Sequence, residues 1–390
     1  MVYLQRQAPA VLALDFMHAL HIDSSSLGLM TAAFFYPYAI MQIPAGMICR
    51  ALGPRTSLVI FFGIASLATI GFGCVSGLTS AVVARILVGL GLSMVLVPML
   101  EIISERFPAH AFGPIVGLLM AIGGLGVFVG GGPLAYLDAW LGWRRAFLAL
   151  GVFSLSIVCL APLAAGSSAN NATRQYGPTE SLASYRQILG VGAFWPPTLW
   201  AFFALSLFVG FGGLWAGPYL IHVYDLPKIQ AGHILSMSAV GMIIGSPLLS
   251  FMVGRLQISH RTVLSGAGLV LTALMGTLIY RPDSLPIWGL YAWFFLMGMA
   301  SMAATPIALM VVRNRFAGSS AGIATGLFNF FCLIGGATMQ PVAGQLIEQY
   351  GGSHHGFEAA HYLPVFWVYL ICTVASLIAA VAIGSKNKDT

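Results

Sequence analysis

Apolar residues run along this chain in long continuous blocks, and polar residues collect between them. Eleven blocks are long enough to cross a hydrocarbon core, which takes roughly 20 residues of helix: 27–48, 57–77, 78–103, 113–136, 146–165, 194–214, 232–254, 262–280, 285–312, 317–347 and 362–383. Without period-two alternation, these blocks predict α-helices and argue against the strands of an outer-membrane barrel. A twelfth, weaker block, 2–20, carries Arg6 and Asp15 and begins beside Met1. It lacks the basic start and small-residue cleavage site of a signal peptide, so it reads as the remaining part of a first helix.

Composition makes lipid the solvent. Apolar residues are 58% of the chain and charged residues 7%, against roughly 45–50% and about 25% in soluble domains. Eleven acidic and 17 basic side chains cannot clothe a water-soluble surface. The net charge of +6 suggests nucleic acid, but no basic cluster or zinc spacing accompanies it. Position explains the excess: with the amino terminus inside, the inner segments hold eleven Lys/Arg and the outer ones four, Arg144, Arg145, Lys228 and Arg281. That asymmetry predicts both termini cytoplasmic, in a bacterial inner membrane. The longest polar stretch, 166–190, separates six blocks from six, predicting bundles at 1–165 and 193–390 joined by a linker at 166–192.

The two parts repeat each other. Ser93-Met-Val-Leu-Val-Pro98 matches Ser301-Met-Ala-Ala-Thr-Pro306, and the match continues from Arg106-Phe107 to Arg315-Phe316 and from Gly117-Leu118 to Gly326-Leu327, at offsets of 208 or 209. Extending it pairs Arg6-Gln-Ala-Pro9 with Trp215-Ala-Gly-Pro218. About twenty apolar positions precede Trp215 but only five residues precede Arg6, so roughly four turns of helix one are expected to be missing or to lie upstream of Met1.

Five cysteines lie singly without a CxxC pair, and His354, His355 and His361 sit in one loop with no helix to space them. Neither pattern makes a metal site. No HExxH, GxSxG or paired-carboxylate arrangement falls within a block, which argues against an enzyme. No cofactor is expected.

Twelve helices as six plus six resemble the major facilitator superfamily over essentially the whole chain. Gly46-Met-Ile-Cys-Arg-Ala-Leu-Gly53-Pro-Arg55 resembles its signature loop after helix two, and Arg85-Ile-Leu-Val-Gly89-Leu-Gly91 its helix-four arginine motif. The glycine-rich run 123–133 resembles its helix-five motif, and Gly142-Trp143-Arg144-Arg145 its Gly-Trp-Arg loop before helix six. Tyr3-Leu-Gln-Arg6, Tyr38 and Gln42-Ile-Pro44 are similar to the organic-anion branch of sugar-acid symporters and organophosphate exchangers, where an arginine in helix one binds the negative group. Three departures stand out. Arg50 occupies the signature loop's usual acidic position, Gln5 stands where symporters place an acid, and Trp215 stands where exchangers supply a second cation.

The resemblance implies alternating access to a mid-membrane site. An arginine inside a span is costly unless it meets water, a partner or a ligand, so Arg6 is a candidate anion ligand; the competing reading has it snorkelling to the cytoplasmic surface. Tyr3, Tyr38, Gln42, Trp215, Tyr219, Asn329 and Gln340 are candidate substrate contacts, with Arg6 and Trp215 expected to face each other across a central cavity. Helix–helix packing is the alternative for each polar member. Gly46, Arg50, Gly53, Arg55, Arg85, Glu101 and Arg255 are candidate gating or coupling positions. Asp15 and Glu101 are the only acids expected within helices, which leaves little for proton coupling. The expected protein is a monomeric secondary transporter of a small organic anion, a carboxylate above all, with a lipid bilayer and no nucleic acid as partner. An amphiphile exporter, an amino-acid or peptide carrier, and a transport-dead sensor remain open.

Overall fold

The computed structural model describes residues 1–164, 182–316, 319–351 and 358–384. The regular elements among them are all helical. Before residue 165 they are α1 (Val2–Leu20), α2 (Ser24–Met41), α3 (Ala45–Leu52), α4 (Pro54–Gly73), α5 (Leu78–Ser93), α6 (Leu96–Arg106), α7 (Ala109–Val129), α8 (Gly132–Leu141) and α9 (Trp143–Ala164). After residue 181 come α10 (Leu182–Leu189), α11 (Trp195–Leu205), α12 (Ala216–His222), α13 (Lys228–Gly254), α14 (His260–Tyr280), α15 (Ile287–Ala300), α16 (Thr305–Arg313), α17 (Ser319–Gly351) and α18 (Ala359–Val381). A π-helical segment, Ser206–Trp215, joins α11 to α12 in one span, Gly192–His222.

Nine helical stretches among the described residues are long and apolar enough to cross a membrane. Two bent pairs, α2 with α3 at 66° and the end of α7 with α8 at 44°, raise this to eleven. The chain is therefore an all-α, multi-pass membrane protein, with nine to eleven such spans where the sequence suggested twelve. The 19-residue α1 falls outside that count and is mostly buried among other helices.

The repeated motif marks a repeated break. Pro98 and Pro306 lack an N–H, and in a continuous helix their rings would clash with the carbonyls four residues back, at Met94 and Met302. The backbone leaves the α-helix at those points, between α5 and α6 and between α15 and α16. Packing repeats as well: α2 lies on α5 and α4 on α9, as α13 lies on α15 and α14 on α18. A Cβ at Gly89 would sit 2.0 Å from the Phe34 carbonyl oxygen, and one at Gly298 2.0 Å from that of Ser238. Gly89 and Gly298 differ by 209, the repeat offset, so the same close crossing, open only to glycine, is built twice. Across the chain's midpoint α2 packs on α17, α7 and α8 on α13, and α1 on the π segment.

Candidate functional site

Tyr3 and Arg6 are one turn apart on α1, and Tyr38 reaches them from α2. The Arg6 guanidinium carbon lies 4.4 Å from the Tyr38 ring centre and 5.3 Å from that of Tyr3. Two such cation–π contacts are worth about 0.5–2 kcal/mol each, depending on desolvation. All three side chains line a cavity of about 170 Å³ whose other walls include Val2, Val95, Leu96, Met99 and Ile122. Tyr3 and Arg6 also line an adjoining lobe of about 40 Å³, walled by Val127 before the midpoint and by Leu205, Phe208, Met302 and Leu333 after it. Arg6 is the only charged side chain among the described residues lining either space. Its Nε is buried without a hydrogen-bond partner. A cation held by rings, with a donor left over, is suited to an anionic ligand.

On either side of Arg6 in the sequence, α1 carries two buried amides, Gln5 and Gln7, whose purpose the sequence did not reveal. Gln5 donates to Thr69 Oγ1 at 3.1 Å and accepts from Arg85 Nη1 at 3.3 Å, and its backbone carbonyl also accepts from Nη1 at 3.4 Å. Arg85 is 1% exposed, with its guanidinium 5.6 Å from the Phe34 ring and 5.4 Å from the Phe72 ring. Position 5 thus uses a neutral amide to hold a buried cation between α1 and α5. Gln7 donates to the Gly212 carbonyl at 3.1 Å and Gln340 to the Val209 carbonyl at 3.0 Å. Both acceptors belong to the π segment, where the wider turn interrupts the regular bonding pattern and leaves carbonyls open to side chains.

The other sequence candidates are placed elsewhere. Trp215 does not face Arg6 across the cavity: it is fully buried, and its indole donates to the Gln340 carbonyl at 3.0 Å. The repeat alignment identified its level on the helix, but the π turn and contact with α17 set its direction. The Tyr219 hydroxyl is engaged by the Pro282 carbonyl. Gln42 ends α2 and turns back on the Tyr38 carbonyl at 3.3 Å, while Asn329 is half-buried on α17; neither lines the two spaces. Of the gating candidates, Gly46 and Arg50 lie on α3, Arg55 begins α4, and Arg255 is exposed just beyond α13. Gly53 has φ of 80°, a conformation suited to glycine, and turns the chain between α3 and α4. Arg50 on α3 and Glu101 on α6 belong to helices that pack on each other. His354 and His355 lie outside the described residues, as do 165–181, most of the expected linker.

Helices also run past the apolar blocks, which corrects the acid inventory. Glu105, Asp138 and Glu348 join Asp15 and Glu101 within helices. Lys228, at the start of α13, pairs with both Asp15 of α1 and Asp138 of α8. At the same end of the molecule Glu348 accepts from the Ser24 backbone N–H at 3.2 Å. The partners of Lys228 lie 213 and 90 residues away, so no local pattern points to this cluster.

Comparison with known proteins agrees with the fold. The sequence profile of the Major Facilitator Superfamily matches residues 1–339 and 218–386. The chain belongs to that superfamily. It is a transporter, therefore, and not an enzyme. It is 25% identical over 395 residues to an uncharacterized MFS-type transporter of Mycobacterium tuberculosis, covering 87% of this chain and 67% of that one. It is 24% identical over 393 residues to the D-galactonate transporter of Escherichia coli, covering 90% and 86%. A probable sulfoacetate transporter of Cupriavidus necator matches at 29% over 153 residues, 39% of this transporter and 36% of the relative. A solved bacterial homologue of the human lysosomal transporter Spinster superposes with a TM-score of 0.73 at 18% identity, covering 98% of this chain and 92% of that chain. Alternating access for a small organic solute follows from the family and fold.

Proposed function

We propose that this transporter carries a small organic anion across the bacterial inner membrane, with Arg6 as the group that receives the negative charge. The observation that carries the reading is Arg6 itself: a cation lining both lobes, held by Tyr3 and Tyr38, with Nε unpartnered. A carboxylate or sulfonate placed there meets a planar donor array suited to two-point binding. Relatives named for D-galactonate and sulfoacetate transport, both anionic, support the reading. In this proposal residues 1–165 and 193–390 form two six-helix bundles, the former including α1 as a short twelfth span. They rock about Arg6 with both termini in the cytoplasm, and the Lys228 cluster then lies on the outer face as a bond between the bundles. Trp215, Tyr219 and Gln340 join neighbouring segments through hydrogen bonds and do not contact the anion.

The test is uptake and thermal stabilisation with a panel of carboxylates beside their neutral amides. Stabilisation follows RT ln(1 + [L]/Kd), about 2.7 kcal/mol at a hundredfold excess over Kd. Carboxylates are expected to stabilise the protein and to lose that effect in Arg6→Gln. The apolar walls favour one second reading, an amphiphile exporter; equal stabilisation of wild type and Arg6→Gln by a neutral amphiphile would select it.

A further inference from the structure

The walls around Arg6 say more about the ligand than its charge. Among the described residues the polar side chains lining the larger lobe are Arg6 and the phenols of Tyr3 and Tyr38; the rest of the lining is aliphatic side chain, helical glycine or methionine, with the α-amino group on Met1. The smaller lobe adds one amide, Gln7, which donates to the Gly212 carbonyl at 3.1 Å and keeps its oxygen as an acceptor. Helical backbone at Gly123 and Gly126 offers no free N–H, because both lie inside α7.

We infer that the anion bound at Arg6 carries a compact hydrocarbon body, an aromatic ring or branched chain, and not a polyhydroxylated one. This rests on the anion reading above. A hexonate brings five hydroxyl groups, each a donor and an acceptor, into a space whose described side chains offer two phenols and one amide besides Arg6 to answer them. A hydroxyl taken from water without a partner weakens binding, and several together outweigh what one cation gains. A ring loses no hydrogen bond on entry and gains contact with Val95, Leu96 and Met99. Size agrees: the larger lobe measures about 170 Å³, and a dry apolar cavity of about 150 Å³ takes a benzene molecule.

The experiment is thermal unfolding of the purified full chain with benzoate, cyclohexanecarboxylate, 3-methylbutanoate, D-gluconate and benzamide at matched concentrations. Benzoate and the two other hydrocarbon acids are expected to raise the unfolding temperature, with apparent affinities about a hundredfold or more above that of gluconate. Gluconate stabilising as well as or better than benzoate, with the effect lost in Arg6→Gln, overturns the hydrocarbon-body inference and leaves the anion reading standing. Benzamide matching benzoate, or no acid stabilising at all, overturns the anion reading and this inference with it. Val95→Thr, which adds one hydroxyl at nearly constant shape, is the second arm. It is expected to weaken benzoate several-fold and narrow the gap to gluconate; an unchanged ratio between the two acids counts against the lobe as the place where the body sits.

Discussion

The Lys228 cluster makes the most direct prediction about movement. Its ammonium group holds Asp15 on α1 and Asp138 on α8, so it fastens one end of α13 to two helices from the other side of the midpoint. Replacing Lys228 with Met keeps a long side chain but leaves two carboxylates that had shared one donor. With each oxygen at hydrogen-bond distance from the lost ammonium, the acids stand within about 5 Å of one another. Two like charges at that separation repel by about 3 kcal/mol at an effective dielectric of about 20. Side-chain exposures of 25% for Lys228, 32% for Asp15 and 7% for Asp138 allow water to screen part of this. The net effect is about 1–3 kcal/mol in favour of opening at this end, or roughly 5- to 150-fold in the conformational equilibrium.

Ser236 is the reporter. It lies in the same α8–α13 seam, 2% exposed, accepting from the Gly132 N–H at 2.9 Å and donating to the Phe128 carbonyl at 3.0 Å. With the five native cysteines replaced by alanine, Ser236→Cys should react slowly with a membrane-impermeant maleimide added from outside. Adding Lys228→Met should accelerate labelling, Lys228→Arg should not, and Asp138→Asn in the Lys228→Met background should restore part of the protection. Equal labelling rates in all four proteins would refute the cluster as a closure device.

Arg6→Lys keeps the charge without the fork and should weaken anion binding about tenfold or more, and Arg6→Ala should nearly abolish it, as read by isothermal titration. Gln5→Leu removes both the side-chain acceptor of Arg85 and the donor to Thr69, and should lower stability by about 3 kcal/mol, seen in thermal unfolding without ligand. Gly298→Ala forces a Cβ onto the Ser238 carbonyl and should cost about 1–3 kcal/mol, whereas Gly276→Ala, where no atom lies within 4 Å, should be close to neutral in the same assay. Trp215→Phe gives up one buried hydrogen bond and should reduce stability by about 1 kcal/mol while leaving the affinity of the anion unchanged, because Trp215 does not line the cavity.

Much of the architecture follows from sequence alone because lipid leaves the backbone few options. A long apolar block with no water available must satisfy its own N–H and C=O groups, so each block becomes a helix. Pro98 and Pro306 specify breaks through their missing N–H, and Gly89 and Gly298 carry the repeat offset into matching crossings. Arg6 stands out because a charge in such a block requires a reason. What each helix face meets was not legible. Whether Trp215 points to a cavity or to the Gln340 carbonyl depends on the π turn before it, and a one-residue change in winding redirects a side chain by about 100°. Gln5 and Gln7 differ by two positions yet serve different neighbours, Arg85 on α5 and the Gly212 carbonyl of the π segment. Lys228 finds Asp15 and Asp138 only because three helices end together. Local composition decides that helices form; their rotation and crossing, set by packing between residues hundreds of positions apart, decides which side chains meet.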